Sequence, residues 1–411
     1  MGGLPPSTQS VAPLWRNRNF MLLWSGQTIS VFGSTISDLA FPLLVLALTG
    51  SPAQTGLVLA LEAVPFLVFS LPVGAWVDRW NRKKVMILCN IGNALTLASI
   101  PFAMAIGHLT IVQLYLTSLT TGTLFVFYNL AAVSSLPQVV HKQQLTEATA
   151  AGYASASASS IIGQPISSFL FFSVGRALPF IVDAISYLVL VISLFWIRAE
   201  FQQERTVEPR NLREDILEGF LWLWRNPLLR FQAFLGAGLN FVVFTTTLIV
   251  ILLAQRQHAL PFTGLIFAIA SVGSITGSLL AGRVQKRFSF GQVMIAASWI
   301  MVLLWPLYAV APDPLVLGLI AFGLYLTETI MSAVNISYRL ALVPDELQGR
   351  VNSVHRLFGF GIGRPLGLVL AGLLSQSFGV ITTVMVFWGV WLLLAISATL
   401  SSHVRNAPAI V

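Results

Sequence analysis

Twelve long apolar stretches, parted by short polar breaks, decide what this chain can fold into. They run over about 20–48, 53–77, 84–106, 109–134, 147–173, 177–197, 228–254, 262–282, 291–311, 314–338, 353–376 and 380–402. Each reaches or exceeds the roughly 20 residues that a helix needs to cross a bilayer. Only 9% of the residues are charged and 56% are hydrophobic, too little polar surface to cover a water-soluble domain of 411 residues. The apolar runs are unbroken and do not alternate, so they read as helices and not as barrel strands. A cytosolic enzyme, a disordered chain and a disulfide scaffold are all excluded. The one cysteine, Cys89, falls inside the third stretch and reads as packing.

Charge gives the orientation. With the N-terminus placed in the cytoplasm, 20 of the 23 Lys and Arg residues fall in inner segments and only Arg176 and Arg256 in outer loops. That bias predicts a multi-pass protein with both termini cytoplasmic. It also accounts for the net charge of +8 without a nucleic-acid partner.

The chain reads as a duplication. LWRN occurs at 14–17 and again at 223–226, Gly74 and Arg79 are echoed by Gly282 and Arg287, Pro137 by Pro344, and GQPI (163–166) by GRPL (363–366). The expected organisation is a six-helix bundle over 1–197, a linker over 198–227 and a second six-helix bundle over 228–411. Within the linker, Leu212, Ile216, Phe220, Leu223 and Trp224 share one face of a helix capped by Asn211. This helix is expected to lie on the inner membrane surface. The fold class is therefore all-α, with twelve transmembrane helices in two pseudo-symmetric bundles. Parallel repeats of this kind place a substrate site between the halves near the midplane.

The loop GAWVDRWNRKK (74–84) closely resembles the signature loop of the major facilitator superfamily, in its residues and in its place between spans two and three. VPDELQGRVNSV (343–354), LTGSP (48–52) and PLWRNRNF (13–20) look like the drug–proton antiporter branch that holds macrolide-efflux and siderophore-exporter proteins. The resemblance implies a conformational latch at Gly74, Asp78, Arg79 and Arg82. On residues alone, the arginines could equally serve only to fix orientation. The second-half echo has Lys286 in place of the aspartate, which implies an asymmetric latch. In span five, Gly163-Gln164-Pro165 departs from the glycine-rich antiporter motif, so antiport does not follow from that motif.

Charged groups at membrane depth are costly and mark functional positions. Asp38 and Glu62 are each twelve residues from the first hairpin turn and so share a depth. Two carboxylates brought together cannot both ionise cheaply, so a proton can be shared between them. Local bonding to Ser34, Thr35 or Ser37 is the competing reading. Glu328 and Arg364 are each eighteen residues from the turn near 346, and a buried ion pair is expected between them, serving either transport or structure. Asp183, seven residues after Arg176, reads as a local ion pair or a helix-start contact. The resemblance places spans one, four, seven and ten around the cavity, which adds Gln27, Tyr128, Asn240, Phe244, Tyr325 and Asn335 as lining candidates.

Neither a phosphate-binding Gly-x-x-x-x-Gly-Lys loop nor metal-ligand spacing among the five histidines is present, so no cofactor and no metal is expected. No nucleophile elbow is visible, and an enzyme is not expected. The leading expectation is proton-coupled efflux of hydrophobic or amphipathic small molecules by a monomer in the bacterial cytoplasmic membrane. Its partners are substrate, protons and membrane lipid. Lipid or lysolipid translocation, and a non-transporting sensor on the same fold, remain as alternatives.

Overall fold

The structure, a computed structural model, describes residues 13–69, 73, 76, 80–199, 201 and 212–407. Among them six helices form the first half: α1 (Arg18–Thr49), α2 (Pro52–Phe69), α3 (Arg82–Ala105), α4 (Ile111–Val139), α5 (Leu145–Phe169) and α6 (Leu178–Trp196). A linking helix α7 (Leu212–Arg225) leads into the second half. There α8 (Pro227–Val243) and α9 (Thr246–Arg256) make one span and α10 (Thr263–Arg287), α11 (Phe290–Leu304) and α12 (Pro314–Leu342) follow. The half closes with α13 (Asp345–Arg356), α14 (Arg364–Phe378) and α15 (Val380–Leu400). A π-helical segment, Leu357–Gly363, joins α13 to α14 within one span.

Eleven segments among the described residues are long and apolar enough to cross a membrane. The remaining expected span, 147–173, is helical as well: α5 continues through a π-helical turn to Val174. It is rich in Ala and Ser and not in large apolar residues, because it packs closely against α1 and α10. Small residues allow such approach inside a membrane. A Cβ at Gly264 of α10 would run into the backbone of Gln164 on α5.

The duplication is visible in the helix caps. Asn17 accepts hydrogen bonds from the backbone N–H groups of Asn19 and Phe20, and Asn226 does the same for Leu228 and Leu229. Both are the last residue of the repeated LWRN, and both start the first span of a half. Leu14 and Leu223, the first residues of the two copies, are each 1% exposed. Asn81 caps α3 and Ser289 caps α11, 208 residues later. Each cap satisfies amide groups that would otherwise be orphaned at a helix start.

The apolar face of the linker helix is partly covered by protein. Leu223 is buried with Leu229, Val343, Val351 and Val354, so α7 docks on α13 and the start of α8. Phe220 and Trp224 stack at 5.4 Å, and Trp224 stays partly exposed beside Phe234. The cap expected at Asn211 lies outside the described residues.

The halves meet along two seams, α2 against the Leu357–Phe378 region and α5 against α10. Both seams include contacts at the end of the bundle that carries the turns at Gly50 and Gly379. Ser51 Oγ donates to Gln376 Oε1 at 2.9 Å, Gly56 abuts Gly372, and Ser168 Oγ accepts from the Gly264 amide at 2.8 Å.

Candidate functional site

A cavity of about 530 Å³ lies between the halves. Its first-half wall comes from α1, α2, α3, α4 and α6, and Phe244, Arg356, Phe360 and Arg364 close it from the second half. On α1 the lining positions Ser30, Ser34, Ser37, Asp38 and Phe41 follow from helical periodicity, which stacks residues three and four apart on one face. The lining is divided. Hydroxyl and amide groups dominate near α1 and α4, including Thr117, Thr121 and Asn129, while Phe66, Phe125, Phe244 and Phe360 supply aromatic surface.

Three carboxylates reach this cavity, each in a different situation. Asp183 of α6 is 1% exposed and accepts from Ser34 at 3.3 Å, Ser186 at 3.1 Å and Ser37. The Tyr187 hydroxyl lies 2.9 Å from Ser34, extending the network. Gly33 makes it possible, since a Cβ there would strike Ser186 and hold α6 away from α1. Glu62 of α2 faces Arg364 of α14, with 3.6 Å between Oε1 and Nη2. The same guanidinium sits 4.8 Å from the centre of the Phe244 ring, a cation–π contact. Asp38 has no hydrogen-bond or ion-pair partner among the described residues, and its side chain opens into the cavity.

The expected residues divide accordingly. Asp38 and Glu62 share one cavity with Tyr128, Phe244 and Arg364. Gln27 supports from behind, its Nε2 donating to the Tyr128 hydroxyl at 3.2 Å. Asn240 does not line the cavity: its Nδ2 donates to the Gly236 carbonyl at 2.7 Å, and it packs against Gly359. Asn335 is buried elsewhere at 7% exposure.

The pairing expected between Glu328 and Arg364 is absent. Glu328 and Tyr325 border a separate void of about 20 Å³ with Trp305, Trp391 and Thr246, room for about one water. Counting from the turn near 346 assumed two straight helices. The π-helical segment adds a residue per turn just before Arg364. Gly363 and Gly367 then take the face against Ala237 and Phe241 of α8 and turn Arg364 toward α2.

Asp183 is the site residue that sequence reasoning assigned elsewhere. No ion pair with Arg176 forms, and the carboxylate is served instead by Ser34 and Ser37, three residues apart on α1, and by Ser186, three residues further along α6. The clue present in the sequence was Gly33 beside Ser34 and Ser37 on one span, with an acid and Ser186 on another. Arg356, Phe66 and Phe360 also went unnoticed, and Phe66 meets Phe360 across the seam at 5.9 Å.

Of the expected latch, Gly74, Asp78 and Arg79 lie outside the described residues. Arg82 Nη1 donates to the carbonyl of Ser134 at 3.0 Å and lies 3.4 Å from that of Phe201. Lys83 Nζ donates to the Ile197 carbonyl at 2.7 Å. These cations thus complement carbonyls near the ends of α4 and α6, where helix dipoles favour positive charge.

Residues 23–261, more than half of the chain, match the model of the Major Facilitator Superfamily. The chain belongs to that superfamily. It is accordingly a multi-pass membrane transporter and not an enzyme. Among similar proteins of this superfamily, the multidrug efflux pump Tap of Mycolicibacterium fortuitum is 26% identical, over 91% of this chain and 93% of its own. Macrolide efflux protein A of Streptococcus pyogenes is 25% identical, over 88% and 90%. The superfamily fold recurs in solved structures. A bacterial homologue of the lysosomal transporter Spinster, inward-facing and unoccupied, superposes with a TM-score of 0.78 at 15% identity, covering 98% of each chain. The nucleoside transporter NupG superposes with a TM-score of 0.75 at 15% identity, covering 96% of this chain and all of its own.

Proposed function

We propose that this protein exports hydrophobic or amphipathic small molecules across the bacterial cytoplasmic membrane by alternating access, in exchange for protons. The observation that carries the reading is Asp38: an acid with no hydrogen bond or ion pair among the described residues, open to an aromatic and hydroxyl-lined cavity between the two halves. Such an acid can hold a proton or the cationic group of a ligand, and exchange of one for the other is antiport. A ligand-sized volume with aromatic surface on one side and hydroxyl, amide and charged groups on the other suits amphiphiles. The relatives named multidrug and macrolide efflux pumps support export as the direction.

Placing the Lys- and Arg-rich segments in the cytoplasm puts the Gly50 end outside. The seams closed there then leave the cavity to be loaded from the inner side. Gly74, Asp78, Arg79 and Arg82 serve in this reading as the inner latch, opening and closing as the halves rock. The transporter works as a monomer, since both halves of the site come from one chain.

The reading is tested in proteoliposomes holding purified protein, with a panel of amphipathic dyes and antibiotics and an imposed pH gradient. Uptake into vesicles that are acidic inside is expected for the wild type and is expected to vanish in Asp38→Asn. Uptake indifferent to a collapsed gradient would exclude proton coupling, and no uptake of any panel member would exclude export of this class.

A further inference from the structure

Three acids face the cavity, but only one is available to a ligand. Asp183 is enclosed by the hydroxyls of Ser34, Ser37 and Ser186. Glu62 is matched by Arg364 from the opposite half. Asp38 is left. We propose that Arg364 sets the charge of the ligand the cavity admits: as a resident counter-ion it neutralises Glu62, so one cationic group is accepted, at Asp38, and a second is refused. The assignment rests on the export reading above and names the substrate class within it, amphiphiles carrying a single positive charge.

The backbone gives Arg364 little freedom to leave. Gly363 and Gly367 flank it, and both press on α8 so closely that a Cβ at either would meet a carbonyl oxygen of Ala237 or Phe241. Phe244 covers one face of the guanidinium at 4.8 Å. Its Nε is buried without a hydrogen-bond partner, so this cation is held by its surroundings and not by a saturated network. A second cationic group arriving with a ligand would find Glu62 already answered and would lie near Arg364 itself. Uncompensated charge in a low-dielectric site is strongly disfavoured. Arg356 also borders the cavity, with its side chain exposed, and it is the same in every variant below.

The experiment uses two dyes that share one aromatic body, one with a single quaternary ammonium and one with two. Their uptake is compared in proteoliposomes of the full-length wild type, Arg364→Gln, Arg364→Lys and the double variant Glu62→Gln/Arg364→Gln. The wild type is expected to favour the monocation. Arg364→Gln unmasks Glu62, and the dication-to-monocation ratio is expected to rise about tenfold or more, the scale of one close charge pair. Arg364→Lys keeps the charge and the low ratio, and the double variant, lacking both charges, returns to it. Where a variant inserts but does not transport, dye fluorescence on the purified protein reads the same ratio. A ratio unmoved in Arg364→Gln, or still high in the double variant, overturns the role of Arg364. So does a wild type that accepts both dyes equally. A wild type that moves neither dye nor any other amphiphile overturns the export reading itself, which separates the two failures.

Discussion

Gly122 of α4 lies directly against Glu62 of α2, so that a Cβ built at 122 would run into the Glu62 carbonyl oxygen. The obstruction is backbone, which no change of rotamer can relieve. Gly122→Ala is therefore expected to push α2 from α4 and to carry Glu62 out of line with Arg364. Overpacking of this kind costs about 1–3 kcal/mol. Thermal unfolding in detergent should show a lower midpoint, and a midpoint equal to the wild type would contradict the close approach.

Asp38 and Asp183 border one cavity, yet their removal should have opposite signatures. Asp38→Asn breaks no hydrogen bond or ion pair among the described residues, so thermal stability is expected to stay near that of the wild type while transport is lost. Asp183→Ala strips the acceptor from Ser34, Ser37 and Ser186. Leaving a buried hydrogen-bonding group unsatisfied costs about 1–3 kcal/mol, so a marked loss of stability is expected there. Asp183→Asn, which retains an acceptor oxygen, should fall between. Unfolding midpoints and uptake measured on the same preparations decide this, and equal stability of Asp38→Asn and Asp183→Ala would refute the distinction.

Much of this architecture was legible because its signals are local. Spans follow from apolar length, and the repeat from short strings such as LWRN, whose asparagines do cap corresponding helices. Asp38 and Glu62 sit near one hairpin, so counting residues from the turn brought them to one cavity. Glu328 and Arg364 were misjudged because a π-helical segment changes the helix register between the turn and Arg364. Asp183 was misjudged because two of its three serine partners lie 146 to 149 residues away on α1, and no periodicity within α6 reports those two.

The repeated caps make a symmetric prediction. Asn17→Ala and Asn226→Ala each orphan backbone amides at the start of an equivalent span, and each is expected to cost about 1 kcal/mol. Asn17 Nδ2 also donates to the Val139 carbonyl at 2.8 Å, so Asn17→Ala should be the more damaging. Unfolding of the two single variants side by side would show this order, and a reversed order would mean that the caps are not the main role of these residues.

The contact between Ser51 and Gln376 offers a direct test of rocking. These residues face each other across the halves at 2.9 Å between polar atoms, at the end where the seams are closed. In a Cys89→Ala background, Ser51→Cys/Gln376→Cys should be joined by a short thiol-reactive cross-linker in the ligand-free protein. Because alternating access requires the halves to part there, the joined protein should bind dye but not transport it, and cleavage of a reducible linker should restore uptake. Ser99→Cys/Gln113→Cys is the control: Gln113 Nε2 donates to the Ser99 carbonyl at 3.0 Å within the first half, so cross-linking this pair should leave transport intact. Full transport by the Ser51–Gln376 cross-linked protein would mean that this seam never opens, and the cavity would have to be emptied by another route.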